Sequence, residues 1–205
     1  MTTLNSVTGP IDSANLGFTL MHEHVLIAAS GLTQSYPDLL GPNYEARAIE
    51  CLKKAKANGI DTMLDATTFD LGRDPKLLQR VATASGVNLI NVTGWWLDVP
   101  RFMHGVGANQ MADEFIRDLT EGFRGTDIKA GMLKCAADFE GVTAPLETMA
   151  RAVARAHLQT GVPIMVHSYP TGQVARRQPS HNQRTQNYGE QKLCYKFHEG
   201  ILADS

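Results

Sequence analysis

Along this chain short apolar runs alternate with amphipathic helical stretches, and that alternation restricts the fold more than any single residue does. The apolar runs cover residues 20–24, 60–65, 88–92, 131–134 and 162–167. Helical periodicity covers residues 43–58, 75–84, 108–123 and 144–160, with Gly59, Gly86 and Gly161 standing where helices stop. Strands joined through helices of this length form βαβ units with a parallel sheet. No glycine-rich phosphate loop follows the first strand. The series therefore predicts an α/β fold, a partial (β/α)8 TIM barrel comprising about the first five βα units, rather than a dinucleotide-binding sheet.

A barrel of this kind presents its chemistry at the C-terminal ends of its strands. Polar residues stand there: His22 and His24 close the first strand, Asp65 the second, Lys134 the fourth and His167 the fifth. Side chains alternate along a strand, so His22 and His24 share one face while Glu23 points away toward the helices. Two imidazoles on one face can share a metal, or can simply be a structural pair. The same alternation puts residues 128, 130, 132 and 134 on one face, and Pro163, Met165 and His167 on another. Lys134 then reads either as a lysine snorkelling at the barrel mouth or as a buried amine of depressed pKa, able to add carbon dioxide. Asp65 reads as a supporting carboxylate. His104, His157 and His181 read as solvated.

Composition narrows the class. The 205 residues carry a net charge of −2, with a sequence pI near 6.4. Charge therefore supplies no reason to expect nucleic acid or an anionic membrane as partner. No apolar run is long enough to span a bilayer and residues 1–6 show no targeting pattern, so a cytoplasmic protein is expected. Cys51, Cys135 and Cys194 are odd in number and far apart, which points to buried free thiols rather than disulfides or a cysteine zinc site.

Several ordered segments together resemble the phosphotriesterase family of the amidohydrolase superfamily. They are Val7-Thr8-Gly9-Pro10-Ile11, Gly17-Phe18-Thr19-Leu20-Met21-His22-Glu23-His24, Asp65-Ala66-Thr67-Thr68-Phe69-Asp70-Leu71-Gly72-Arg73-Asp74, Ile128-Lys129-Ala130-Gly131-Met132-Leu133-Lys134 and Val162-Pro163-Ile164-Met165-Val166-His167-Ser168. The resemblance implies a (β/α)8 barrel with two divalent metals, usually zinc. By position His22 and His24 match ligands of the more buried metal, Lys134 the carbamylated bridging lysine, and His167 a ligand of the more exposed metal. It implies hydrolysis of a small-molecule ester, lactone or phosphotriester by metal-activated hydroxide. Trp95 and Trp96 stand where the family builds its hydrophobic substrate pocket, Trp96 being the better candidate. Residues 134–143 resemble the lactonase-like branch, while the paired tryptophans leave lactone and phosphotriester both open.

After Gln178 the chain departs from the family's pattern, so the expected division is a partial barrel over residues 1–178 and a divergent tail over 179–205. The family's Gly-His-Ser strand and late aspartate do not appear in the sequence. Each metal site would then lack one ligand, and the alternative is a non-catalytic family member that binds metal weakly. An open five-strand sheet would also leave its outer strands exposed to self-association, so a homo-oligomer is possible. Residues 193–198 alternate like a short strand, which makes His198 a candidate replacement ligand.

Overall fold

A five-stranded parallel sheet organises the molecule, with its strands in sequence order β3-β4-β5-β6-β7. The computed structural model describes residues 2–97, 99–138 and 141–169. Before the sheet comes an antiparallel hairpin of β1 (Thr3–Ser6) and β2 (Gly9–Asp12). The sheet strands are β3 (Thr19–Glu23), β4 (Thr62–Asp65), β5 (Asn88–Gly94), β6 (Met132–Ala137) and β7 (Ile164–Ser168). A short helix α1 (Leu32–Ser35) and the longer α2 (Tyr44–Ala57) link β3 to β4. The crossovers that follow are α3 (Pro75–Ser85), α4 (Ala108–Thr120) and α5 (Ala144–Thr160). This is the curled half-barrel that the βα alternation predicts.

Strand alternation divides the core into two layers. Met63, Leu89, Leu133 and Cys135 face the helices and pack with residues such as Leu77, Val81, Phe115, Met149 and Val153. Their strand neighbours Leu64, Ile90, Val92, Met132 and Met165 turn the other way into a smaller inner layer, where Leu4 and Leu16 join them. Sequence order and local chemistry fix the helices that cover the outer layer. Asp74 caps α3 by accepting from Leu77 N at 2.9 Å, Pro75 follows it, and left-handed Gly86 ends the helix.

Several expectations need correcting. The hairpin was not foreseen, because four-residue strands containing Asn5, Ser6 and Pro10 carry too little apolar alternation to read. Lys134 does not end its strand, since pairing with β7 carries β6 on to Ala137. His24 falls one residue beyond β3. The alternation drawn back to Ile128 also fails: β6 begins only at Met132, and Ile128 and Ala130 belong to the outer layer while Met132 belongs to the inner one. Helix α4 stops at Thr120 rather than Phe123. Cys135 is buried, but Cys51 on α2 is exposed.

The hairpin closes the N-terminal end of the sheet. Asn5 Nδ2 donates to Leu119 O at 3.0 Å and Ala130 O at 2.9 Å, and Val7 N donates to Leu89 O at 2.9 Å. Gln79 Nε2 returns a bond to Val7 O at 2.9 Å. This seat requires glycine at 131, because a Cβ there would lie 2.3 Å from Asn5 O and 2.6 Å from Ile90 Cγ2.

Candidate functional site

At the opposite end the strands bring their polar residues together. The imidazoles of His22 and His24 lie 5.6 Å apart between ring centroids, although a register shift between Leu20 and Glu23 interrupts the pairing of β3 with β4. His167, from the far side of the sheet, sets its ring 5.9 Å from that of His22. Between them rises Lys134, whose Nζ is 3.2 Å from His22 Nε2 and 3.4 Å from Met165 Sδ. The three imidazoles are half-buried, whereas Lys134 is 1% exposed. Glu23 is exposed on the strand's other face.

Burial shapes the protonation states here. It draws the Lys134 amine down to about 8, against the opposing pull of the neighbouring Cys135 and Asp70 charges. An amine at that value is substantially neutral in mildly alkaline solution, and its burial excludes a lysine that snorkels to solvent. His24 is held below the ordinary imidazole value by burial first, then by the charges of Lys134 and His167. Neutral imidazole is the form that ligates a metal.

A supporting shell holds His24. Its Nδ1 is hydrogen-bonded to Thr67 Oγ1 at 2.9 Å. Thr67 is in turn fixed by Asp65, whose Oδ1 accepts from Thr67 N at 2.8 Å and whose Oδ2 accepts from Val25 N at 3.3 Å. Asp65 is buried at the end of β4, and burial pushes its carboxyl up to about 6 despite those bonds. It therefore acts as the supporting carboxylate expected of it, tying the loop after β3 to β4.

The tryptophans part company. Trp95 is buried in the outer layer, its ring 4.9 Å from that of Phe115. Trp96 is half-buried and sets its ring 6.1 Å from His167. Only Trp96 of the two is thus brought beside the histidines. Sequence reasoning missed Thr67 and Asp70, which support His24 and Trp96, and the Arg73–Asp118 pair behind them. Arg73 Nη1 donates to Val92 O at 2.9 Å, its Nη2 lies 3.6 Å from Asp118 Oδ2, and its guanidinium covers the Phe123 ring at 4.1 Å. Thr93 Oγ1 donates to the same Asp118 oxygen at 2.7 Å. The available signal was the density of polar residues just past β4, in the stretch 65–74.

Among the described residues no three His, Cys, Asp or Glu side chains form a metal-holding cluster by themselves. The mouth carries three imidazoles, with His24 and His167 at 5.6 and 5.9 Å from His22 between ring centroids, and imidazole is a donor of the kind that suits zinc and its neighbours in the first transition row. In donor chemistry these imidazoles fit a divalent cation. His198 and the 179–205 tail lie outside the described residues.

Parallel strands wound in sequence order, with histidines at their C-terminal ends, define a (β/α)-barrel protein whose chemistry sits at the sheet's mouth. The chain belongs to the phosphotriesterase family, whose pattern matches residues 2–183. Members of that family are generally metal-dependent hydrolases. A phosphotriesterase homology protein of Mycobacterium tuberculosis is 43% identical over 180 residues, which cover 82% of this chain and 55% of that protein. An aryldialkylphosphatase of Saccharolobus solfataricus is 39% identical over 161 residues, covering 77% and 51%. The solved structure of the phosphotriesterase from Mycobacterium tuberculosis superposes with a TM-score of 0.84 at 41% identity, covering 89% of this chain and 60% of that one. The chain thus spans about half the length of the curated relatives it matches. No helix among the described residues is long and apolar enough to cross a membrane.

Proposed function

We propose that this chain bears the metal-binding part of a zinc-dependent hydrolase that acts on a small-molecule lactone or phosphotriester. The observation that carries the reading is the gathering of His24 and His167 about His22, which itself touches the buried amine of Lys134. Those four side chains would hold the metal, His22 and His24 on the inner side and His167 on the outer. When bound, divalent cations there supply an acidified water and polarise the C=O or P=O under attack.

The chain's own residues prepare that chemistry. Thr67 occupies Nδ1 of His24 and so leaves Nε2 as the ligating nitrogen. Lys134, as a neutral amine, would form an N–C bond to carbon dioxide while releasing one N–H proton to solvent, giving an anionic carbamate whose charge would help hold the cations. Trp96 presents an apolar wall beside His167 for the substrate's organic group.

A second reading is that the chain binds metal weakly and turns nothing over. It is favoured because, among the described residues, no three His, Cys, Asp or Glu side chains are grouped so as to hold a metal. Elemental analysis of the monodisperse chain, purified with zinc and bicarbonate supplied, decides between them when joined to lactone and phosphotriester assays. The hydrolase reading expects about two metals per chain, lost in His22→Ala/His24→Ala, with turnover that follows metal content. Metal-free protein overturns it, and metal without turnover leaves the second reading.

A further inference from the structure

Trp96 sits beyond the end of β5, and the segment leaving that strand is turned sharply at Gly94, where φ is +119° and a Cβ would lie 1.9 Å from Lys134 O. What holds Trp96 after that turn comes from another loop. Its backbone N donates to both carboxylate oxygens of Asp70, at 3.1 and 3.2 Å, across 26 residues of sequence. Asp70 lies in the turn of 3-10 helix Phe69–Leu71 that follows β4. The carboxylate is itself oriented, since Thr68 Oγ1 donates to Oδ1 at 2.5 Å. Its neighbours add to the joint. Phe69 meets Phe102 edge-on at 6.0 Å, and Arg73, two residues past the turn, is tied to Val92 O at 2.9 Å on β5. Two loops are thereby laced together, and the Trp96 ring emerges from the joint 6.1 Å from His167.

A backbone N–H shared by two ionised oxygens is a charge-assisted contact, stronger than a neutral hydrogen bond. It fixes the main chain from which the indole projects, not the indole directly. We infer that Asp70 is a positioning residue, which anchors the Trp96 backbone and so sets the distance between the indole wall and His167, and with it the size of the apolar group the site accepts. The part concerning substrate size rests on the hydrolase reading above. The anchor itself does not.

The test is site-resolved amide hydrogen exchange by NMR on the full chain, joined to kinetics. In the unaltered chain the Trp96 amide exchanges slowly although it lies outside every strand, and free exchange there overturns the proposal without any variant. In Asp70→Ala the Trp96 amide exchanges at least about tenfold faster, the effect of losing one charge-assisted bond, while the Val92 and Leu133 amides keep their protection. Asp70→Asn, which retains one acceptor oxygen, recovers most of it. Unchanged exchange at Trp96 in a folded Asp70→Ala overturns the anchor, and if that variant fails to fold the wild-type and Asp70→Asn rates still decide. With turnover available, Asp70→Ala raises KM for an aryl lactone several-fold and leaves KM for a small unsubstituted lactone unaffected, and Asp70→Asn restores KM. Equal effects on both lactones overturn the size-setting role. If every form is inactive, the hydrolase reading fails and exchange alone judges the anchor.

Discussion

The two ends of the sheet are built on opposite principles. At the N-terminal end the hairpin's polar groups meet backbone partners, as Asn5 does on Leu119 O and Ala130 O, and a glycine makes room for the contact. At the C-terminal end burial works against ionisable groups: Asp65 is pushed up to about 6 and Lys134 drawn down to about 8. The first arrangement stabilises the fold. The second opposes it, and such strained protonation is characteristic of places where chemistry is done. One polypeptide thus separates the end its hairpin closes from the end that gathers its perturbed titratable groups, as barrel architecture allows.

The contrast is broken most severely at Lys134. Replacing it by Met keeps an unbranched chain in the inner layer and removes the buried amine. Lys134→Met is expected to abolish metal retention completely by elemental analysis while raising stability at neutral pH by up to about 3 kcal/mol, the scale of drawing a buried amine down to about 8. A lower urea midpoint for this variant would show that the mouth is not held at a stability cost.

Asp65 sharpens the same point through pH. Its folded-state value lies above the unfolded one, so the favourable contribution is fully present below about pH 4 and is lost as pH rises toward about 6. Comparing denaturation of the wild type and Asp65→Asn across that window, the wild type should lose up to about 3 kcal/mol relative to the variant. A flat difference would mean that Asp65 ionises as freely as an exposed carboxylate.

The structural end is probed by Gly131→Ala. Its added methyl collides with Asn5 O and Ile90 Cγ2, so a loss of about 1–3 kcal/mol is expected from urea unfolding, together with faster exchange of the Val7 amide. Metal content should fall less than in any mouth variant. The smallest effect on stability is expected at Thr67→Val, about 1 kcal/mol. Zinc affinity should nevertheless fall by roughly ten- to a hundredfold, because His24 loses its orienting partner. Calorimetric titration with zinc checks this, and an unchanged affinity would remove Thr67 from the site.

Much of this was legible before any coordinates. Residues 144–160 read as a helix because seventeen residues keep a helical apolar stripe and end at Gly161, and they form α5 with those bounds. The barrel direction was legible because parallel strands can be joined only through such crossovers. The hairpin was not, since its stability comes from contacts with Leu89, Leu119 and Ala130, far away in sequence, rather than from its own pattern. The extent of β6 was not either. Ala136 and Ala137 carry no distinctive strand signal and are ordered by pairing with His167 and Ser168.

The site divides along the same line. By itself the sequence determined the succession of strands and helices, and with it which residues reach the C-terminal face, because both follow from local periodicity and from the chirality of crossover connections. It named His22, His24, Lys134 and His167 as residues of that face. Only the tertiary structure decided that Lys134 is buried against Met165, that Trp95 belongs to the core while Trp96 stands by His167, and that Thr67 and Asp70 hold His24 and Trp96 from a different loop. Desolvation and hydrogen bonding across 26 to 43 residues depend on how the strands curl past one another in space, and no local pattern encodes that.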